Sequence, residues 1–260
     1  MNKENFILKL DSVGKYYFAE AGLKINALED ISFEIPFSND GAITSILAPF
    51  GSGKSTLVKI ISGVIKKDSG EISFGDSQNA IPLIPEKPSS FPWMNVKQNI
   101  EFGLSLSKNK KYNVDDLISL AGLAGYGDHH PHNKSYGFRF RISLARALAL
   151  NPSLILIDDS FKQMKKETKE EIHQLISDIS SLEKMSFIIS TTNLVEAIQL
   201  SDVILLMSAK PGKIVHRIET GKGDSLELRN VKSEKFAALK AEIEEAFHSV
   251  HPIKTINYSV

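Results

Sequence analysis

Short apolar runs alternate with amphipathic stretches over most of the chain. The runs near Ile31–Ile35, Ile43–Leu47, Glu71–Phe74, Ile81–Ile84, Leu154–Ile157, Phe187–Ser190 and Val203–Met207 have the length and β-branched content of strands. Between them, apolar positions recur at helical spacing in Leu57–Ile61, Val96–Leu106, Asp115–Ala124, Phe140–Leu150, Lys165–Leu182 and Leu194–Leu200. This alternation predicts an α/β fold, a mostly parallel sheet with helices packed on it. From about Pro88 to Leu150 the alternation fails. Helical patterns continue there without a convincing strand, so a helical insertion is expected between two halves of the core. The expected organisation is a first half over 1–87, a helical subdomain over 88–151, a second half over 152–220 and a C-terminal extension over 221–260. That extension carries one more amphipathic helix, with Phe236, Leu239, Ile243 and Phe247 on its apolar face. The face is read as packing within the chain.

Composition narrows the function classes. Lys+Arg 31 against Asp+Glu 31 gives a formal net charge of zero, so no basic footprint for a nucleic-acid partner is expected. Cys 0 excludes disulfides and thiolate metal sites, and agrees with a reducing cytosol. The stretch M-N-K-E-N-F-I-L-K-L has polar breaks and no long apolar region, so a signal peptide is not expected. No apolar run approaches the ~20 residues of a membrane span. A soluble protein is expected.

The chemistry concentrates first in A-P-F-G-S-G-K-S-T, Ala48–Thr56, between a strand and a helix. A helix N-terminus offers unpaired N–H groups and the positive end of a dipole to an anion. Pro49, Phe50, Gly51, Ser52, Gly53, Lys54, Ser55 and Thr56 therefore form a candidate phosphate loop. Gly51 and Gly53 let the backbone curl around a phosphate, Lys54 would meet the β- and γ-phosphates, and the Ser55 hydroxyl would hold Mg²⁺. The usual pattern has glycine where Ala48 stands, so its methyl is tolerable only if φ there stays below zero. The second part is Leu154–Asp159, an apolar run ending in two carboxylates. A buried strand delivers Asp158 at its C-terminal end, where ligands of open α/β sheets collect, and Asp158 is the second candidate Mg²⁺ residue.

These motifs, with several others, resemble the ATP-binding subunits of ABC transporters over nearly the whole chain. F-P-W-M-N-V-K-Q-N-I-E-F-G-L (Phe91–Leu104) resembles a run of the nitrate, sulfonate and taurine importer branch. His130–Leu148 and N-P-S-L-I-L-I-D-D-S-F line up with the family's signature helix and magnesium strand. L-S-D-V-I-L-L-M-S-A-K-P-G-K-I resembles the strand pair that closes the core. The resemblance implies a P-loop NTPase core of the ABC type with antiparallel edge strands, and ATP with Mg²⁺ as its ligands. It also implies a membrane-spanning permease bound around Glu86–Trp93, and a location on the cytoplasmic face of the cell membrane. In the family each ATP lies between one chain's phosphate loop and the other's signature, so a homodimer or a heterodimer with another ATP-binding subunit is implied. Tyr17 falls where the family stacks the adenine. The histidines 129, 130 and 132 match the family's Y-P-H, which argues against a metal role for them.

The chain departs from the family at the residues that do chemistry. The family's catalytic Glu is Asp159, its γ-phosphate-sensing His is Thr192, and its Gln between nucleotide and permease is Glu86, which could reach the metal. The signature L-S-G-G-Q is Lys134-Ser135-Tyr136-Gly137-Phe138, keeping Ser135 and Gly137 as nucleotide contacts for the partner site. The loop S-A-L-D is Lys162-Gln163-Met164-Lys165. The expectation is a subunit that binds ATP well and hydrolyses it slowly. A non-hydrolysing regulatory or structural subunit, and a fully active importer ATPase using Asp159 as base, remain as alternatives.

Overall fold

The computed structural model describes residues 6–75, 80–108, 110–221 and 225–250. Residues 1–5 and 76–79 of the 1–87 segment, and 222–224 and 251–260 of the 221–260 segment, therefore lie outside the described residues. In chain order the elements are β1 (Phe6–Phe18), β2 (Lys24–Pro36), β3 (Ile43–Leu47), α1 (Lys54–Ile61), β4 (Ser69–Phe74) and β5 (Leu83–Ile84). Three helices follow, α2 (Val96–Leu106), α3 (Val114–Leu120) and α4 (Tyr136–Leu148). Then come β6 (Leu154–Asp158), α5 (Lys166–Glu183), β7 (Ser186–Thr191), α6 (Leu194–Leu200), β8 (Val203–Met207) and β9 (Ile214–Glu219). The chain ends its described part with α7 (Ser225–Arg229) and α8 (Glu234–Val250).

The larger sheet has the order β5-β6-β7-β3-β8-β9, parallel except for β9, which runs antiparallel to β8 at the edge. Every residue of β3, β6 and β7 is buried, as expected for parallel strands covered on both faces. The smaller sheet, β2-β1-β4, is antiparallel. Its Leu10, Val13 and Ile31 pack with Leu57 and Val58 of α1 and with Ile46 and Leu156 of the larger sheet. On the other face, Val96, Ile100, Phe140 and Leu144 join Ile155, Ile157 and Ile189 in one apolar cluster. The helical segment is thus anchored to the strands that carry the site. Helices α2 and α3 each start at a reciprocal cap, Asn95 with Gln98 and Asn113 with Asp116, which satisfies backbone donors otherwise left open.

The last helix spends its apolar face on its own chain. Phe236, Ile243 and Phe247 are buried with Ala197 and Ile198 of α6 and Leu206 of β8. No described helix is long and apolar enough to cross a membrane.

Several elements differ from the sequence pattern, among them β9 and α7, which have no counterpart in it. β1 has no counterpart in it, and β2 begins at Lys24 rather than Ile31. Ser12 and Asp30 both have positive φ, 51° and 52°, and the register of the pair shifts on both sides of Val13↔Ile31. Such irregularities break the period-2 alternation that marks a strand. β5 holds only Leu83 and Ile84, because Pro82 and Pro85 on either side cannot donate to a ladder. α3 stops at Leu120, ahead of Gly122 at φ 66°.

Candidate functional site

The loop between β3 and α1 wraps a cradle for which the sequence is specific. Gly53 has φ 101°, and a Cβ there would lie 2.9 Å from the Ala27 carbonyl oxygen and from a Leu28 methyl. Gly51 has φ 75°. Only glycine takes both conformations without strain. Ala48 is not among the positive-φ residues, and its methyl is buried with Leu57 and Val58. The condition the sequence set for that methyl is therefore met.

Lys54 is 6 % exposed, and its Nζ donates to the carbonyls of Ala48 and Pro49, both at 2.9 Å. Burial pushes its pKa from 10.5 down to about 8, against the opposing pull of Asp159 and Asp158, while Lys162 pushes it further down. The Ser55 hydroxyl donates to Asp158 Oδ1 at 2.9 Å, and Ser190 on β7 donates to the same oxygen at 2.7 Å. Two of the three candidate Mg²⁺ residues, Ser55 and Asp158, are thus brought together by the end of β6 and the start of α1. Ser52 Oγ is buried in the loop with no hydrogen-bond partner among the described residues. Cradle, unpartnered hydroxyl and hydroxyl–carboxylate pair fit a nucleotide phosphate with a divalent cation.

Around the loop lies a cleft of about 450 Å³. The ends of β1 and β2 contribute Tyr17, Phe18 and Ile25, and the phosphate loop contributes Phe50–Thr56. Glu86 enters after β5, Asp159 and Lys162 after β6, Thr192 after β7 and Lys210 after β8. These are C-terminal strand ends, where such sheets bind ligands. Tyr17 Oη lies 3.5 Å from Thr56 Oγ1, and the Lys15 ammonium sits 5.4 Å from the Tyr17 ring centre.

Asp159 has φ 47°, and its N–H donates to Ser190 O at 3.0 Å. Burial raises its pKa; Lys54 and Lys162 oppose the rise and Glu86 and Asp158 add to it. Thr192 is placed by the turn into α6, where Asn193 caps the helix by accepting from Glu196 N–H and Thr191 Oγ1 accepts from Asn193 N–H. Thr192 faces the cleft while Thr191 is buried.

Ser135 and Gly137 do not join this cleft. They line a second one of about 330 Å³ with Lys134, Phe138, Arg141 and Glu171. Ser135 caps α4, accepting from Phe138 N–H at 3.2 Å. Gly137 has a packing reason to lack a side chain, since a Cβ would lie 2.3 Å from Thr168 Cγ2 on α5. Tyr136 packs half-buried on the apolar cluster, with the Arg139 guanidinium 4.4 Å from its ring centre.

Between Glu86 and α2 the chain is pinned from below. Asn99 is buried and bonds Phe91 N–H, Phe91 O, Met94 O and Asn95 O. Phe91 stacks on Trp93 at 5.4 Å, and Arg146 lies 4.1 Å from the Phe91 ring centre while donating to Ser89 O. Trp93 is left 69 % exposed, and the Phe102 ring, also exposed, packs edge-on against Phe91 at 5.0 Å.

Phe18, Ile25 and Lys210 line the nucleotide-type cleft without having been singled out in the sequence, and Lys162 was named there only within the altered S-A-L-D loop. The first three sit at strand ends and belong to no spacing pattern. For Lys162 the usable signal was its place just past the Asp158-bearing strand.

Comparison with known proteins bears on family and fold. The ABC transporter family model matches residues 28–162. The chain is 31% identical over 254 residues to the aliphatic sulfonates import ATP-binding protein SsuB of Bacillus anthracis, covering 95% of this chain and 98% of that one. It is 30% identical over 269 residues to the taurine import ATP-binding protein TauB of Rhizobium johnstonii, covering 96% and 99%. Among solved structures, CbiO1 of Clostridium perfringens, part of the ABC transporter complex CbiONQ, superposes with a TM-score of 0.71 at 23% identity, covering 93% and 100%. The ATP-binding cassette MJ0796, dimeric and bound to ADP and Pi, gives 0.69 at 24%, covering 82% and 98%. At these identities the two structures speak for the fold.

Proposed function

The chain belongs to the ABC transporter family, among relatives that are ATP-binding subunits of sulfonate and taurine importers, and on that premise we propose that it binds ATP with Mg²⁺ at a dimer interface, drives a permease and hydrolyses slowly. One observation carries this reading. A complete phosphate cradle, with Lys54, Ser55 and Asp158 in place, stands beside a set of altered catalytic positions.

The loop amides from Gly51 to Thr56 would receive the phosphate oxygens at the start of α1. An ammonium has three donors, and Lys54 gives two to loop carbonyls, which leaves one for a phosphate oxygen. Ser55 and Asp158 would hold Mg²⁺, which when bound offsets charge on the terminal phosphates. Tyr17 offers a ring face to the base.

Asp159 is the group placed to orient an attacking water. Its carboxylate is one methylene shorter than a glutamate's, a set-back of about 1.5 Å, and a misplacement of about 1 Å can cost about a hundredfold. Thr192 donates a hydrogen bond but carries no charge, and Glu86 adds an anion near the phosphates. All three differences slow turnover more than binding.

The ordered, apolar surface around Trp93 is where the permease docks, at the inner face of the membrane. The Ser135 cleft completes the nucleotide site of a second ATP-binding chain, whether a copy or a relative. Nucleotide binding and phosphate release, measured for the wild type, Lys54→Ala and Asp159→Asn, test the reading. Mg²⁺-dependent ATP binding with slow release is expected, with binding lost in Lys54→Ala and only release lost in Asp159→Asn. Binding with no release at all makes the chain a regulator. Fast release abolished by Asp159→Asn makes it an ordinary ATPase. Absence of ATP binding refutes every version.

A further inference from the structure

Three lysines and two carboxylates line the nucleotide cleft, and only Lys54 among the lysines belongs to the phosphate loop. Lys162 stands on the turn between β6 and α5, just past Asp158 and Asp159. Its Nζ lies 5.6 Å from the ring centre of Phe50, at the tip of the phosphate loop. The ring gives that ammonium a resting place over a π face beside the cradle.

Lys162 and Lys54 line one cleft, together with the carboxylate of Asp159. Like charges in one cleft repel each other. An anion between two such cations lowers the energy of both. Thr192, in the same cleft, supplies no charge. Lys162 is exposed, so its four-carbon stem is free to turn from the Phe50 ring toward a ligand without loss of packing.

We propose that Lys162 is a second cationic contact for the terminal phosphate of the bound nucleotide, supplied by the same chain in a cleft whose Thr192 is neutral. The inference rests on the nucleotide-binding reading above and goes beyond it in naming a residue that distinguishes a triphosphate from a diphosphate. Lys54 lies at the base of the loop and serves both nucleotides. Lys162 meets only the phosphate furthest from the base.

The test is ATP and ADP affinity, each with Mg²⁺, for wild type, Lys162→Ala and Lys162→Arg. Loss of a charge-assisted contact weakens ATP binding by roughly tenfold or more. Lys162→Ala should show that loss for ATP with ADP unchanged, and Lys162→Arg should restore the preference. Its melting temperature should match the wild type's, because the side chain is exposed. Unchanged ATP affinity in Lys162→Ala overturns the proposal, and so does an equal loss for ATP and ADP. A wild type that binds neither nucleotide overturns the underlying reading, a result distinguishable from both.

Discussion

Lys54 would make the proposed nucleotide site a proton-linked one. Its pKa of about 8 in the fold, against 10.5 in the unfolded chain, corresponds to about 3 kcal/mol of destabilisation by the buried ammonium. Desolvation is the main cause, only partly offset by Asp159 and Asp158. The cost is fully present below about pH 8, where both states are charged. Between about 8 and 10.5 the unfolded chain binds more protons than the folded one, so this group's contribution to stability rises with pH. The negative charge of a phosphate on Nζ offsets the desolvation and moves the pKa back up. ATP binding above about pH 8 must then take up a proton, and affinity should fall with pH, approaching tenfold per unit. Calorimetric titration with Mg²⁺–ATP in two buffers of different ionisation enthalpy measures the uptake directly. It should be near zero at about pH 7 and approach one proton at about pH 9. Lys54→Arg, charged throughout, should bind without that uptake. Affinity that stays flat from about pH 7 to 9.5, or equal uptake in Lys54→Arg, refutes the assignment.

Gly137→Ala should destabilise the fold by about 1–3 kcal/mol through overpacking against Thr168, and Thr168→Ala should restore most of the loss, as read by denaturant unfolding of both single variants and the pair. A fully additive pair would mean that the glycine is not held by that contact. Glu196 on α6 is buried, and burial raises its pKa to about 7 against the opposing Lys169 ammonium at 3.8 Å. Its folded form holds a proton that the unfolded chain has lost, so its contribution to stability should fall by about 3 kcal/mol as pH rises from about 4.5 to 7. The difference between wild type and Glu196→Gln, followed by melting across that range, should show this slope. A pH-independent difference contradicts it.

The parallel half of the fold was legible because β3, β6, β7 and β8 are buried almost throughout, so apolar residues dominate each short run, broken in β3 only by Thr44 and Ser45. The antiparallel sheet was not. Its two long strands carry Ser12 and Asp30 at positive φ, so side chains change face partway along and no alternation survives. The phosphate loop was readable because its chemistry is local: glycines, Lys54 and Ser55 must be adjacent to curl around one phosphate. Phe18, Lys162 and Lys210 reach the same cleft from three separate strand ends, and only the folded sheet brings those ends together. The resemblance placed Gly137 at a ligand, and its contact with Thr168 became visible only once α4 and α5 were packed.

The exposed indole of Trp93 has an optical consequence. It is the chain's one tryptophan, so light excited at the red edge comes from a single known place on the surface. That place is joined to the cleft by the short run of chain from Glu86, and is held by the Phe91 stack and the Asn99 hydrogen bonds. An indole so open to water emits at long wavelength, and covering it shifts the emission to the blue. The protein therefore carries its own dye at the point where a partner would sit, and solution spectra can follow that contact without any label.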